Sequence, residues 1–397
     1  MHKKVAVVGL YSLPNMGDQM LCETTIFLLK KICKDIEIIK LDVFPKKRTD
    51  RTVIERIERR LSSRMIKKAK KRFEYKDGSK RRYVYERRMW KMQVFRYYEK
   101  TLKEADAIVF AGGGFVKFRT QGLNYYTEMI IEIAQKYNIP VMMNAVGIEG
   151  YNEQDFRCMS LKKHINSNVV KVITTRDNVE LLDNYYIYNK NIKTDLVGDP
   201  ALWAPDCYNV HKNQSSTKIG INIIRENIFK DYGNRLTAEE MLSFYIQLIS
   251  ELEKRSVEWV LFSNGMKSDQ KFGRKLLDKL GMSEDERMIS PPTRAEELLE
   301  TIKGFKCIFG ARLHACISSY ALGVPVVGFI WNEKTELFAR QIKKDMNFFN
   351  ENNLDVCIIV DRLLEAAEED YDKNILDYNR NKTFMYLQNF VEKHLVV

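Results

Sequence analysis

Arg312 and His314 stand two residues apart in GARLHACISSYALGVPVVGF, between the apolar run KCIFGA and a stretch of small residues that Gly323 ends. A guanidinium forks onto carboxylate or phosphate, and an imidazole titrates closest to neutrality, which suits it to proton transfer. The run before the pair reads as a strand and the run after it as a helix. In parallel α/β sheets that turn is where ligands bind, and the backbone N–H groups opening the helix attract anions. Arg312 is therefore read as an anion grip and His314 as a general acid. A lone histidine is more often a surface or core residue, but here the strand exit and the adjacent arginine favour chemistry.

Five further stretches carry candidate residues. LYSLPNMGDQML follows an apolar run with Asn15, Gly17 and Asp18. Asn and Gly form turns and Asp18 can cap a helix, while the same backbone can meet a phosphate or carboxylate of the substrate. AGGGFVKFR sets Gly112, Gly113 and Gly114 directly after a strand-like run, with Lys117 and Arg119 beyond them. Three successive glycines imply positive φ or close approach of a ligand. VITTRDN ends in Arg176 and Asp177, the latter expected to cap a helix and Arg176 to bind substrate or pair with a carboxylate. VGDPALW puts Asp199 and Pro200 at another exit, read as a turn. INIIREN offers Arg225 as a second anion-binding cation. Seven cysteines without a C-x-x-C pair and five histidines without metal-ligand spacing give no expectation of a metal or cofactor.

The elements that must position these residues alternate between strand and helix along the chain. KKVAVVGL, IEIIKLDVF, AIVFAGGG, PVMMNAVGI and VKVITTRD read as one set of strands, and TKIGINIIR, VEWVLFSNG, KCIFGA and PVVGFIW as a second. Such alternation predicts an α/β protein of two Rossmann-like domains facing across a cleft, a GT-B-like plan. The expected boundaries are 1–195 for the first domain, 196–216 for a linker rich in Pro, Asn and Ser, 217–360 for the second domain and 361–397 for a helical tail. A length of 397 residues with 45% hydrophobic and 30% charged residues fits this plan.

The net charge of +12 is concentrated in one place. Lys46 to Lys100 holds 22 Lys and Arg against 7 Asp and Glu, so this segment alone exceeds the whole-chain excess. It reads as a basic helical insert in the first domain, with Ile54, Ile57, Leu61 and Met65 on one stripe and Val84, Trp90, Val94 and Tyr98 on another. It is either a pair of solvated helices or a surface for an anionic membrane or lipid-linked acceptor. No nucleic-acid-binding module surrounds it, and nucleic acid is not an expected partner. No run of 18 apolar residues and no signal segment is seen, so the expected location is the cytoplasm, peripheral at the inner face of the membrane if the basic insert binds lipid.

Taken in order, these motifs resemble the polysaccharide pyruvyl transferase family. The resemblance rests on N-x-G-D at Asn15 to Asp18, the triple glycine, the NAVGI strand end, Arg176–Asp177, Asp199–Pro200, and R-L-H-A with G-V-P at Arg312 to Ala315 and Gly323 to Pro325. It covers roughly residues 4 to 340. Gln19, Glu149 and Gly150 depart from the family pattern, and the basic insert is not part of it. The resemblance implies transfer of a pyruvyl group from phosphoenolpyruvate, as donor substrate, to two hydroxyls of a sugar or lipid-linked oligosaccharide in exopolysaccharide or cell-surface glycan synthesis. Arg312 and Arg225 would hold the donor anions and His314 would deliver a proton. A GT-B glycosyltransferase using a nucleotide-sugar is the alternative, with Glu333 or Glu336 available to a ribose.

Overall fold

The computed structural model describes residues 3–45, 60–65, 78–119, 121–213, 215–369 and 372–395. The chain forms two compact units. The first comprises residues 1–12, 21–198 and 381–397, and the second residues 13–20 and 199–380.

The first unit is built on a six-stranded parallel sheet in the order β2-β1-β3-β4-β5-β6. Its strands are β1 (Lys4–Gly9), β2 (Glu37–Asp42), β3 (Ala107–Ala111), β4 (Val141–Val146), β5 (Val170–Thr175) and β6 (Lys193–Leu196). β3 and β4 are buried along their whole length, as continuous apolar runs covered on both faces must be. Helices α1 (Met16–Ile32), α2 (Lys80–Leu102), α3 (Leu123–Tyr137) and α4 (Phe156–Ile165) supply the crossovers. The chain passes from β1 to β2 on one side and to β3 on the other, which makes the β1/β3 carboxyl ends the point where the winding reverses. The triple glycine lies there.

The second unit carries a five-stranded parallel sheet, β11-β10-β9-β7-β8, formed by β7 (Ile219–Asn222), β8 (Trp259–Phe262), β9 (Cys307–Gly310), β10 (Val326–Phe329) and β11 (Phe348–Phe349). Its core packs Ile221, Phe309 and Phe329 of the strands against Tyr245 and Leu248 of α5 (Ala238–Lys254) and against α8 (Val356–Glu368). α5 opens on a full capping box, Thr237 with Glu240. Here the winding reverses between β7 and β9, and Arg312 follows β9 directly.

Two sequence expectations about boundaries are corrected. Residues 196–216 are not a linker: Pro200–Trp203 form a 3-10 turn and Ala204–Tyr208 a helix, inside the second unit. Trp203 donates to the Arg380 carbonyl and stacks on the Arg380 guanidinium. The tail 361–397 is not one element either. α8 and the first turns of α9 (Lys373–His394) belong to the second unit, whereas Lys382, Thr383 and Tyr386 bind Asp195 and the Gly198 carbonyl in the first. Composition signals loops, and the Pro and Asn here cap and start helices instead.

The basic segment is corrected in part. Ile54 and Ile57 lie outside the described residues, while Leu61 and Met65 are exposed. α2 buries Tyr83, Met89, Val94, Tyr98 and Leu102, and Val84 is 54% exposed. Val94 and Tyr98 are buried as expected, but at the start of the helix Tyr83 and Met89 take the places expected of Val84 and Trp90, with Tyr83 reaching inward to the buried Glu128 and to Ser160. Arg87 pairs with Glu132, and His164 of α4 lies 3.3 Å from Glu132. α2 is therefore docked on α3 and α4 through an ionic network and is not a loosely attached surface element.

That network predicts a pH dependence. Burial alone would lower the His164 pKa, but the hydrogen bond to Glu132 and the charge of Glu128 prevail and raise it. Burial would raise Glu132, yet His164 and Arg87 hold it below the usual carboxylate range; burial pushes Glu128 up. A raised histidine contributes stability below its unfolded pKa and loses it as pH rises through the folded value; a lowered carboxylate loses it as pH falls. Stability of the first unit is expected to decline as pH rises past the ordinary histidine range. In His164→Gln that decline should vanish from urea midpoints measured across pH.

Candidate active site

Asn222 at the end of β7 and Arg312 after β9 are joined by a hydrogen bond from the Arg312 N–H to Asn222 Oδ1, 2.8 Å. This places Arg312 at the reversal point of the second sheet. Its guanidinium is held side-on by Asp269 of α6 (Lys267–Leu280), with Nε 2.9 Å and Nη2 2.6 Å from the two carboxylate oxygens. Asp269 is fully buried and also accepts the Arg225 N–H at 3.1 Å. A bidentate pair at this depth fixes the plane of the fork and leaves the Nη1 edge of Arg312 outside it.

Arg225 takes a different course from the one its sequence position suggested. Its backbone serves the Asp269 network, while its guanidinium pairs with Asp231 at 2.5 Å, a carboxylate about half exposed. It is a solvent-accessible cation near Arg312 along the chain's β7 exit, already neutralised by a weak surface partner.

His314 lies in the first turn of α7 (Leu313–Leu322) and is 8% exposed. Nε2 sits 3.8 Å from Asp199 Oδ2, a distance too long for a direct hydrogen bond. Asp199 does cap the Pro200–Trp203 turn through Oδ1, as its reading as a turn residue implied, and its second oxygen faces the histidine. One side chain fills both roles.

The opposite edge of the ring meets the start of α1. A Cβ built on Gly17 would lie 2.2 Å from His314 Nδ1, so only glycine lets the imidazole rest against this turn. Asn15, and not Asp18, occupies the capping position: its Oδ1 accepts the Gly17 N–H at 3.3 Å and its amide donates to Asp18 at 2.9 Å. Met16 N–H donates to the Asn264 carbonyl. Asn15, Gly17, Asp18, Asp199, Arg312 and His314 are thus brought together in the second unit.

A test of Gly17 follows. Its φ is ordinary, and alanine exceeds glycine in helix propensity by about 1 kcal/mol, so Gly17→Ala carries no backbone penalty. It should nonetheless displace the imidazole and lower turnover at least about 10-fold. A Cβ at position 17 would also lie 2.7 Å from His314 Cβ, so the substitution should be silent only in a His314→Gly background, and a double-mutant cycle on kcat measures that coupling.

The remaining candidates lie in the first unit. Gly112 and Gly113 have φ of 56° and 74°, the left-handed region the triple glycine implied. Gly112 also needs its missing Cβ, which would lie 2.9 Å from Leu21, and the Gly113 carbonyl accepts the Gly147 N–H. Gly114 completes the turn with ordinary φ. Glu149, a departure from the family pattern, accepts the N–H groups of Phe118 and Arg119 and so ties the glycine loop to the end of β4. Arg176 is 8% exposed and 3.9 Å from Asp177. Asp177 accepts the Ile148 N–H, and Asn178 caps the following turn where Asp177 was expected to.

Sequence reasoning missed Asp269, Asn222 and Asn264. Among the described residues no group of three or more His, Cys, Asp or Glu is placed to hold a metal ion. No helix of the described residues is long and apolar enough to cross a membrane.

The profile of the polysaccharide pyruvyl transferase family matches residues 15–333, which take in Asn15, the glycine loop, Arg176, Asp199, Arg225, Arg312 and His314. The chain belongs to that family. As a polysaccharide pyruvyl transferase family member it has a GT-B-like α/β fold of two parallel sheets, and its structural likenesses agree. UDP-GlcNAc 2-epimerase from Methanocaldococcus jannaschii is similar over 98% of this chain and 99% of its own, at 14% identity and a TM-score of 0.59. UDP-GlcNAc 2-epimerase from Neisseria meningitidis, bound to UDP-GlcNAc, is similar over 99% of this chain and 100% of its own, at 12% identity and a TM-score of 0.58. At such identity these likenesses concern the fold alone. No curated protein sequence matches this pyruvyl transferase family member.

Proposed function

We propose that this protein transfers a pyruvyl group from phosphoenolpyruvate to two hydroxyls of one sugar unit of a cell-surface or secreted polysaccharide, closing a ketal and releasing inorganic phosphate. The observation that supports it most is the pairing of a fixed guanidinium with a histidine lodged against a helix start, Arg312 and His314 beside Gly17. Phosphoenolpyruvate carries a carboxylate and a phosphate, and the Nη1 edge of Arg312 with the start of α7 suits one of them. His314 delivers its proton to C3, while the first sugar hydroxyl bonds to C2 and gives up its own proton to the imidazole, which restores the acid. The C2–O bond to phosphate then breaks, and the second hydroxyl bonds to C2 with loss of its proton to the departing phosphate. One donor and one diol give one ketal and one phosphate.

The glycosyltransferase alternative draws on fold likeness. Of its two acidic candidates, Glu336 is paired with Arg340 on an exposed helix face. Incubation with phosphoenolpyruvate and a panel of glycans, followed by phosphorus NMR for phosphate and mass spectrometry for the ketal, tests the main reading. Thermal stabilisation by UDP-GlcNAc but not by phosphoenolpyruvate would favour the alternative.

The acceptor in this reading is carried on lipid at an anionic membrane. Arg88, Lys91 and Arg96 of α2 flank Met92 and Phe95 on its outer face, which suits such a surface. Triple replacement of the three cations by Gln should weaken binding to anionic vesicles at low salt; unchanged binding would remove the membrane from the reading.

A further inference from the structure

The last turns of α9 lie beside the amino ends of β5 and β6 at the edge of the first sheet, and a cavity of about 580 Å³ lies between them. Lys171 of β5, Lys193 of β6 and Lys393 of α9 line it, with the half-buried His394. The cavity contains none of the candidate residues above, and the glycine loop stands at the opposite, carboxyl ends of the strands. Among the described residues none of the three ammonium groups pairs with a carboxylate. Lys171 donates to the Asn168 carbonyl at 2.6 Å, and Asp195, on the same strand as Lys193, is engaged by Lys382 and Tyr386. The only acid lining the cavity among these residues is Glu392, which accepts the Gln388 amide. The imidazole registers the positive charge gathered here: burial, Lys393 and Lys171 hold the His394 pKa below its ordinary value. Tyr386, Phe390 and the exposed Met385 supply the apolar part of the wall.

We propose that this cavity binds a phosphate monoester with an apolar or aromatic body. Three lysines against one glutamate suit a dianion. Ammonium groups act as point charges that a tetrahedral phosphate can meet from several sides, whereas a planar carboxylate is better served by a guanidinium fork. A volume of about 580 Å³ is in the range of whole small-molecule sites, so the ligand carries more than its phosphate, and the Tyr386 ring and Met385 receive the rest. The site is independent of the transfer reaction proposed above, and Arg312 has no part in it.

Phenyl phosphate is the probe, added to the full chain while the His394 ring is followed by NMR; His394→Gln identifies its resonance. Binding should move that resonance and raise the pH midpoint of its titration by about one unit, because a dianion beside an imidazole favours the protonated ring. Inorganic phosphate should act more weakly, and phenol not at all. In the double variant Lys193→Gln/Lys393→Gln the phenyl phosphate concentration that gives half the shift should rise roughly 10-fold or more, the scale of lost hydrogen bonds to a charged group. Both lysines are exposed, and the wild-type titration requires no variant. Arg312→Gln should leave the His394 response intact. A wild-type His394 resonance that ignores phenyl phosphate at millimolar concentration, or an undiminished response in the double variant, would remove the site. A response that disappears with Arg312→Gln would place the anion elsewhere, and one that phenol reproduces would strike the phosphate from the proposal.

Discussion

His314→Ala is expected to keep phosphoenolpyruvate binding and to lose roughly 10²-fold or more in turnover, the usual scale for a positioned acid or base. The structure sharpens why. The ring lies between the Asp199 carboxylate and the Gly17 backbone, which fix it from two edges, and it holds no part of the Asp269 network that orients Arg312. Its removal therefore takes away a proton donor and leaves the anion grip in place, so kcat should fall while the donor's dissociation constant stays within a few-fold. The limb of the pH–rate profile that belongs to the imidazole should disappear. Turnover at the wild-type level would falsify the acid assignment and return His314 to a packing role.

The parts of this site that were legible in the sequence are those that share one strand exit. Arg312 and His314 are two residues apart, and the small residues after them mark α7 before any coordinates. The strands were legible for the same reason: four or five consecutive apolar residues bounded by Gly, Asn or Asp can hardly be anything else in a buried parallel sheet. β6 was not, because Lys193–Leu196 sits at the sheet edge and is only partly buried, so three of its four residues are polar and it does not read as a strand; nor was β11, a run of only two residues. Asp269 was invisible because a charged residue in KSDQKFGRK looks like a solvated helix face; only folding brings it under Arg312, 43 positions away. Asn264 fell within VEWVLFSNG, which was read as a strand, whereas β8 ends at Phe262. The division of α1 and α9 between units left no mark, since helical periodicity continues unbroken across the point where the packing partners change.

Asp269→Ala should be the most damaging substitution to the second unit. The carboxylate is fully buried and takes the Arg312 fork in both oxygens, together with the Arg225 N–H. Removing one member of a buried ion pair leaves the other charge uncompensated and costs about 3–5 kcal/mol, a large share of the stability of a domain. The guanidinium side chain is only 17% exposed, so water offers it limited relief. Asp269→Asn tests the same point more gently: one oxygen still accepts, the charge is gone, and the amide nitrogen now opposes a donor. Urea midpoints should rank wild type above Asn above Ala. Where the Asn variant remains folded, donor binding should weaken while the His314 limb of the pH profile persists, because Asp269 orients the arginine and does not touch the imidazole. A folded Asn variant with unchanged donor binding would mean that Arg312 serves the packing of α6 against β9 and that another cation receives the substrate.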